Sequence, residues 1–122
     1  MKIKYLTKQA LLKFTNQRPA QNVVLKCEKL AYTEVRQIND LNSSEAPATN
    51  FVVFLDQVTD PQNFGSILRT AMFLGLVNHV VVNKRNACGL TPTVSKVSSG
   101  ALEFMDIKQV KFVSKFFIDA RQ

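Results

Sequence analysis

The 122-residue sequence has little of what metal or disulfide chemistry requires: two cysteines, one histidine and no tryptophan. Cys27 and Cys88 lie far apart, outside CxxC or Cys/His spacing, which argues against a zinc site or a disulfide scaffold and fits a reducing compartment. His79 stands beside an apolar run, which favours a strand-end residue over a metal ligand or catalytic base. We therefore expect no metal at the functional site.

Long apolar runs are also missing. None approaches the roughly 20 residues of a membrane helix, and no secretory signal core is present, so we expect no membrane partner. The basic, acid-free stretch 1–18 leaves two interpretations open. It resembles a mitochondrial presequence in charge, although its cations are mostly Lys. The favoured alternative is a short helix over Lys8–Thr15 with Thr7 as its N-cap.

Acidic residues are unevenly distributed, and the net charge is +7. Neither 1–27 nor 61–102 contains an Asp or a Glu. The second stretch carries four cations: Arg69, Lys84, Arg85 and Lys96. A single such stretch is as well explained by a solvated basic face. Two in a chain of this size favour an anionic partner such as nucleic acid.

Before residue 51 the pattern is mixed. It predicts a short strand ending near Tyr5, the helix already described, a turn over 16–19, a strand over Asn22–Leu30 and a short helix over Thr33–Leu41. The small, polar, Pro-containing stretch 42–50 is predicted to be a linker. The sequence thus divides into a segment 1–41, this linker and a domain 51–122.

After the linker the pattern becomes regular. Strands are predicted at Phe51–Leu55, His79–Val82 and Met105–Ile107, and helices at Asn63–Leu74, Thr91–Leu102 and Lys111–Arg121. Alternating strands and helices of this kind predict an α/β fold with a parallel sheet. In such sheets ligands bind beyond the carboxyl ends of the strands.

The loop after the first of these strands, 56–65, is unusually polar. Pro61 stiffens it, Asn63 is a candidate helix cap, and Gly65 permits close approach of a backbone or a ligand. Arg69 follows on the helix. From spacing alone, a capped loop and a surface cation explain these residues as well as a site does.

The run Val58–Ala71 resembles the first signature motif of the SpoU (TrmH-like) RNA 2′-O-ribose methyltransferases of the SPOUT superfamily, with Asp60-Pro61, Asn63, Gly65 and Arg69 in register. Segments 84–96 and 99–103 are also similar to that family. The Leu-Thr-Pro and Val-Ser-Lys pieces are most similar to mitochondrial enzymes that modify a guanosine of large-subunit ribosomal RNA. Residues 18–25 resemble, more weakly, the end of the family's N-terminal substrate-binding domain, an α+β domain of which segment 1–41 is then the tail.

The resemblance implies a function. Members transfer a methyl group from S-adenosylmethionine to a ribose 2′-hydroxyl of ribosomal RNA, and they form homodimers. Arg69 and Asn63 are the implied catalytic residues, with Arg69 orienting a phosphate and stabilising the developing alkoxide, since a guanidinium is a poor base. The cations Lys84, Arg85, Lys96 and Arg18 are implied contacts to the RNA backbone. The mitochondrion is the implied location.

Two further family motifs are absent from this sequence: a Gly-x-Glu-x-x-Gly loop and a Pro-Met…Ser-Leu-Asn-Val segment, which build the family's trefoil knot and hold S-adenosylmethionine. We therefore expect an incomplete SPOUT-type sheet, no cofactor-binding residues in this chain, and a doubtful dimer. The alternative to a methyltransferase is a catalytically inactive RNA-binding fragment or isoform.

Overall fold

The computed structural model describes residues 3–18, 20–41, 51–75 and 77–119. Nine helices and strands and two 3-10 helices occur in these ranges. In chain order they are α1 (Lys8–Phe14), β1 (Thr33–Val35), a 3-10 helix (Ile38–Leu41), β2 (Phe51–Leu55), α2 (Pro61–Leu74), β3 (Val77–Asn83), a 3-10 helix (Lys84–Asn86), α3 (Pro92–Val97), α4 (Ala101–Phe104), β4 (Ile107–Val110) and α5 (Val113–Asp119).

The described strands form one parallel sheet in the order β1-β4-β3-β2. The register aligns their carboxyl ends: Val110 of β4 pairs with both Val35 and Asn83, and Leu55 pairs with Val82. All loops that follow the strands therefore open at one edge of the sheet. The predicted α/β fold with a parallel sheet is confirmed.

Strand β3 explains why both faces of the sheet are covered. Its side chains alternate in direction, and Val80, Val81 and Val82 are each at most 2% exposed. Val80 and Val82 pack with the residues of α2, α3 and α4. Val81 packs on the opposite face, against Phe116 of α5. A strand buried on both sides reads as a continuous apolar run, as the sequence predicted.

Helix α2 begins two residues earlier than predicted. Asp60, not Asn63, is its N-cap: the Asp60 carboxylate accepts a hydrogen bond from the Asn63 backbone N–H at 2.9 Å. Pro61 follows at the first helical position, where its missing N–H costs nothing. The helix ends at Gly75, its C-cap, in the left-handed conformation with φ 66°.

Upstream, the helix prediction was right and the strand predictions were wrong. Thr7 caps α1, its Oγ1 accepting from the Ala10 N–H at 3.3 Å. The predicted strands near residue 5 and at Asn22–Leu30 are absent from these described residues, where Val23 is 83% exposed. β-branched residues favour a strand only when a neighbouring strand or face receives them. The predicted helix Thr33–Leu41 is instead β1 and a 3-10 helix.

Downstream, the predicted helix Thr91–Leu102 is two helices. Thr91 is the N-cap of α3, and Ser99 and Gly100, with φ values of 54° and 89°, separate α3 from α4. The third predicted strand lies later than expected, at Ile107–Val110. The predicted linker 42–50 and the end of the last predicted helix lie outside the described residues.

The side of the sheet formed by its outermost strand, β2, is apolar. Among the described strands, β2 pairs only with β3. Phe51 on β2 is 57% exposed, and Phe73 on α2 is 87% exposed. No helix in the described part of the chain is long and apolar enough to cross a membrane.

On the opposite side of the sheet, β1 pairs with β4, although β1 precedes the predicted linker in the chain. The division of the chain at residues 41 and 51 stays a prediction.

Candidate functional site

Polar side chains connect the carboxyl ends of β2 and β3. The Asn83 side-chain amide donates from Nδ2 to Asp56 Oδ1 at 2.9 Å. Its Oδ1 accepts from the Arg85 backbone N–H at 3.1 Å and starts the 3-10 helix that carries Lys84 and Arg85. The loop after β3 is thus oriented by the loop after β2.

A second connection joins β1 to the same loop. The Lys84 ammonium forms an ion pair with Glu34, and the Gln109 side-chain amide donates to the same carboxylate at 3.3 Å. The hydrogen bond and the charge of Lys84 hold the pKa of Glu34 below its usual value. Lys84, a predicted RNA contact, therefore has its charge partly compensated within the protein.

The predicted catalytic residues both lie on the outer surface of α2. Asn63 and Arg69 are exposed, while Phe64 and Leu68 on the inner face are completely buried. Six residues correspond to about 9 Å of rise and about 240° of rotation, so the two side chains leave the helix in directions about 120° apart. Asn63 lies in the first turn beside the loop after β2, and Arg69 lies nearly two turns further towards the C-terminal end of the helix.

A buried contact anchors the loop after β3 beneath the motif. The Tyr32 hydroxyl donates a hydrogen bond to the backbone carbonyl of Cys88. Cys88 itself is only 4% exposed. Burial, and secondarily Cys88, raises the pKa of Tyr32 to about 12. Burial also raises the pKa of the Cys88 thiol, with a smaller contribution from the charge of Asp60. These residues hold the loop in place, and the thiol stays in its neutral form.

The remaining predicted RNA contacts do not form one cluster. Arg85 lines a cleft at the carboxyl ends of β3 and β4. Lys96 is exposed in the last turn of α3. Arg18 is exposed beyond α1, a helix with no buried residue, so the core does not hold it near the sheet edge.

Sequence reasoning missed several side chains at this edge. Asp56, Asn83 and Glu34 connect the strand ends, and Lys111 and Phe112 line the cleft with Arg85. One signal was available for most of them, since each except Glu34 is a polar or aromatic residue at the end of an apolar strand. Which strands were neighbours was not readable from the sequence.

The cleft at the carboxyl ends of β3 and β4 does not fit S-adenosylmethionine. That cofactor carries a sulfonium and an ammonium against one carboxylate, so it is a net cation. The cleft at the sheet edge is lined by the cations of Arg85, Lys111 and Lys115 and by no carboxylate. Cationic walls repel a cationic ligand. Within the described ranges no group of three or more His, Cys, Asp or Glu residues could hold a metal.

Comparison with known proteins identifies relatives of this chain. The model of the SpoU rRNA Methylase family matches residues 50–122. The chain is 41% identical over 87 residues to human mitochondrial rRNA methyltransferase 1, covering 71% of this chain and 24% of that protein. It is 33% identical to the Saccharomyces cerevisiae protein of the same name, covering 94% of this chain and 34% of that protein. The chain thus spans well under half the length of these relatives.

A solved structure resembles the fold. The crystal structure of an AdoMet-bound rRNA methyltransferase from Sinorhizobium meliloti superposes with a TM-score of 0.54 at 19% identity, covering 75% of this chain and 32% of that one. This likeness supports the α/β fold with a parallel sheet. The family model, which matches more than half of the residues, confirms the resemblance carried by Val58–Ala71. The chain belongs to the SpoU rRNA Methylase family.

Proposed function

We propose that this chain takes part in the 2′-O-ribose methylation of ribosomal RNA, with S-adenosylmethionine as methyl donor. The family match over residues 50–122 supports it, together with the exposure of Asn63 and Arg69 on the helix that follows β2. Relatives named as mitochondrial rRNA methyltransferases support ribosomal RNA as substrate and the mitochondrion as location. A guanosine of the large-subunit RNA is the target implied by the resemblance of the Leu-Thr-Pro and Val-Ser-Lys pieces.

The chemistry assigns distinct roles to the two residues. As the oxygen of a ribose 2′-hydroxyl becomes the nucleophile, its proton passes to water or to a neighbouring phosphate oxygen of the RNA. A guanidinium is a hydrogen-bond donor and a poor base, so Arg69 acts as a donor and not as the base. Its guanidinium holds a phosphate next to the target ribose and stabilises the negative charge developing on the 2′-oxygen. Asn63 positions the ribose, or the guanidinium, by hydrogen bonds from its amide.

The test is made in cells that express the protein from its own gene. The gene is deleted or replaced by an Arg69→Ala version, and 2′-O-methylation of the ribosomal RNA is mapped by mass spectrometry of nuclease fragments. We expect one ribose methyl group to disappear in both strains. Thr70→Ala, an exposed neighbour on the same helix, is the control and should leave methylation unchanged. Near-normal methylation with Arg69→Ala would remove Arg69 from catalysis.

The second candidate is an RNA-binding protein without methyltransferase activity. The observation in its favour is the mismatch between the basic cleft and a cationic cofactor. If deletion of the gene changes no ribose methyl group, while the purified chain still binds RNA, this second candidate replaces the first.

Calorimetric titration of the chain with S-adenosylmethionine adds a direct measurement: detectable binding would contradict the inactive alternative. Sedimentation velocity of the same sample decides between a monomer and the family's homodimer.

A further inference from the structure

A cleft of 490 Å³ lies where the loops after β3 and β4 meet. Asn83 and Arg85 form one wall, from the end of β3 and the 3-10 helix that follows. Lys111, Phe112 and the first residues of α5 form the other wall. The two walls are adjacent because Asn83 and Val110 are paired residues of neighbouring parallel strands.

The charges on the cleft have one sign. Its lining contains Arg85, Lys111 and Lys115 and no acidic residue. Two carboxylates lie near the cleft. Asp56 accepts a hydrogen bond from the Asn83 side chain, and Glu34, whose charge interacts with Lys111, has Lys84 and Gln109 as its hydrogen-bonding partners. The cleft therefore keeps most of its positive charge and attracts an anion.

An aromatic ring lies among these cations. Phe112 is 64% exposed, and the Lys111 ammonium lies 5.2 Å from its ring centroid. An exposed phenyl ring has a large cost in water. Because the ammonium lies over one face of the ring, a nucleobase would stack on the other face while its phosphate reaches the cations of the cleft.

We propose that this cleft binds an unpaired nucleotide of the RNA, with its base stacked on Phe112 and the flanking phosphates on Arg85, Lys111 and Lys115. The inference rests on the proposed RNA substrate and deepens it. An aromatic ring combined with cations selects single-stranded RNA, because bases in a duplex have no free face to stack. An inorganic anion would occupy the cations and leave the ring unused.

The position of the cleft also fits. Arg85 follows β3, which neighbours β2, and α2 with Arg69 follows β2. Neighbouring strands are about 4.8 Å apart, so the end of β4 lies roughly 10 Å across the sheet from the end of β2. The cleft therefore holds a nucleotide that flanks the methylated one.

The experiment measures binding of the purified 122-residue chain to a fluorescent single-stranded oligoribonucleotide and to the same sequence as a duplex, by fluorescence anisotropy. Phe112→Leu removes the ring and keeps an apolar side chain. We expect it to weaken single-strand binding about 5-fold or more and to change duplex binding little. Phe104→Leu, at another exposed phenylalanine, is the matched control and should bind as the unaltered chain does.

A salt titration tests the cations separately. The Lys111→Gln/Lys115→Gln double variant should reduce the slope of log K against log salt by about 1.4, since each phosphate contact contributes about 0.7 with single strands. Lys108→Gln is the control, with an expected unchanged slope, because Lys108 is paired with Asp106 towards the opposite end of β4. Circular dichroism confirms that each variant is folded.

The outcomes separate this inference from the proposed function. If Phe112→Leu and Phe104→Leu bind equally well, or if inorganic phosphate displaces the oligonucleotide from both with equal ease, base stacking in the cleft is wrong. Loss of methylation with Arg69→Ala would still support the proposed function in that case. If the unaltered chain binds no RNA under any salt condition, the proposed nucleotide site is wrong, while methylation in the deletion strain still decides the proposed function.

Discussion

A Cβ atom added to Gly65 would lie 2.7 Å from Cβ of Val97 and 3.1 Å from the backbone nitrogen of Ser98. Helices α2 and α3 thus approach each other at a point where only a hydrogen atom fits. The glycine of the signature motif was predicted to allow close approach of a backbone or a ligand, and the neighbour is a helix. Its role in this chain is helix packing beneath the functional surface.

Gly65→Ala should destabilise the protein by about 1–3 kcal/mol, because the methyl group must displace α3 or distort α2. Urea unfolding followed by circular dichroism measures the change. Gly89→Ala is the control, since its added Cβ would meet only Thr91 Cγ2 at 3.4 Å, an ordinary contact. An unchanged midpoint for Gly65→Ala would show that α3 can move away freely.

Asp60→Ala should lower the free energy of unfolding by about 0.5–2 kcal/mol, since it removes the side-chain acceptor at the start of α2. Asp60→Asn keeps a cap acceptor and should recover most of the loss. Thermal unfolding compares the variants. Thr7→Ala removes the equivalent cap of α1, a helix with no buried residue, and should leave the main transition unchanged. Equal effects at the two caps would contradict this assignment.

Ser98→Ala should cost about 1–3 kcal/mol, because the Ser98 hydroxyl accepts from the buried Leu102 N–H at 3.2 Å and donates to the Ser95 carbonyl at 2.9 Å. Ser98 is 1% exposed, so water cannot replace it. Ser66→Ala removes a hydroxyl bonded to the Asn63 carbonyl at the surface and is the control. If denaturant midpoints of the two variants coincide, the buried bond between α3 and α4 carries no special stability.

Alkaline pH should destabilise the protein through Tyr32. Its pKa is raised to about 12 in the folded protein, against about 10 in an unfolded chain. Between these values the unfolded chain loses the proton and the folded protein keeps it, so this contribution to stability is complete below pH 10 and falls as the pH rises towards 12. Tyr32→Phe should show a weaker decline in urea midpoint over that range. Tyr5→Phe, at a tyrosine 95% exposed, should decline as the unaltered protein does.

Acid should destabilise the protein through Asp106. A hydrogen bond from Lys108 and, more weakly, one from Thr33 hold its pKa below the usual value, against an opposing effect of burial. The contribution is present above the unfolded pKa near 3.8 and is lost as the pH falls through the lower folded value. Asp106→Asn should therefore flatten the acid limb of the stability curve, and Glu103→Gln, at an exposed residue, is the control. Identical acid limbs for the two variants would rule the effect out.

Much of the central α/β unit could be predicted from sequence because its signals are local. Helix α2 combines an apolar stripe with a left-handed Gly75, and β2 and β3 are continuous apolar runs. The segment 22–30 has β-branched residues as well, but no described strand pairs with it, so the same composition produced no strand. A strand needs a partner, and a partner is not a local property.

The sequence by itself determined the family, through Val58–Ala71, and the placement of Asn63 and Arg69 on one helix. Only the tertiary structure decided which residues surround them. Parallel pairing of β3 with β4 brings Arg85 to Lys111 and Phe112, which are more than 20 positions away in the chain. The pairing of β1 with β4 likewise brings Glu34 to Lys84. These contacts depend on strand order and register, which arise from burial of the whole sheet and from no single segment.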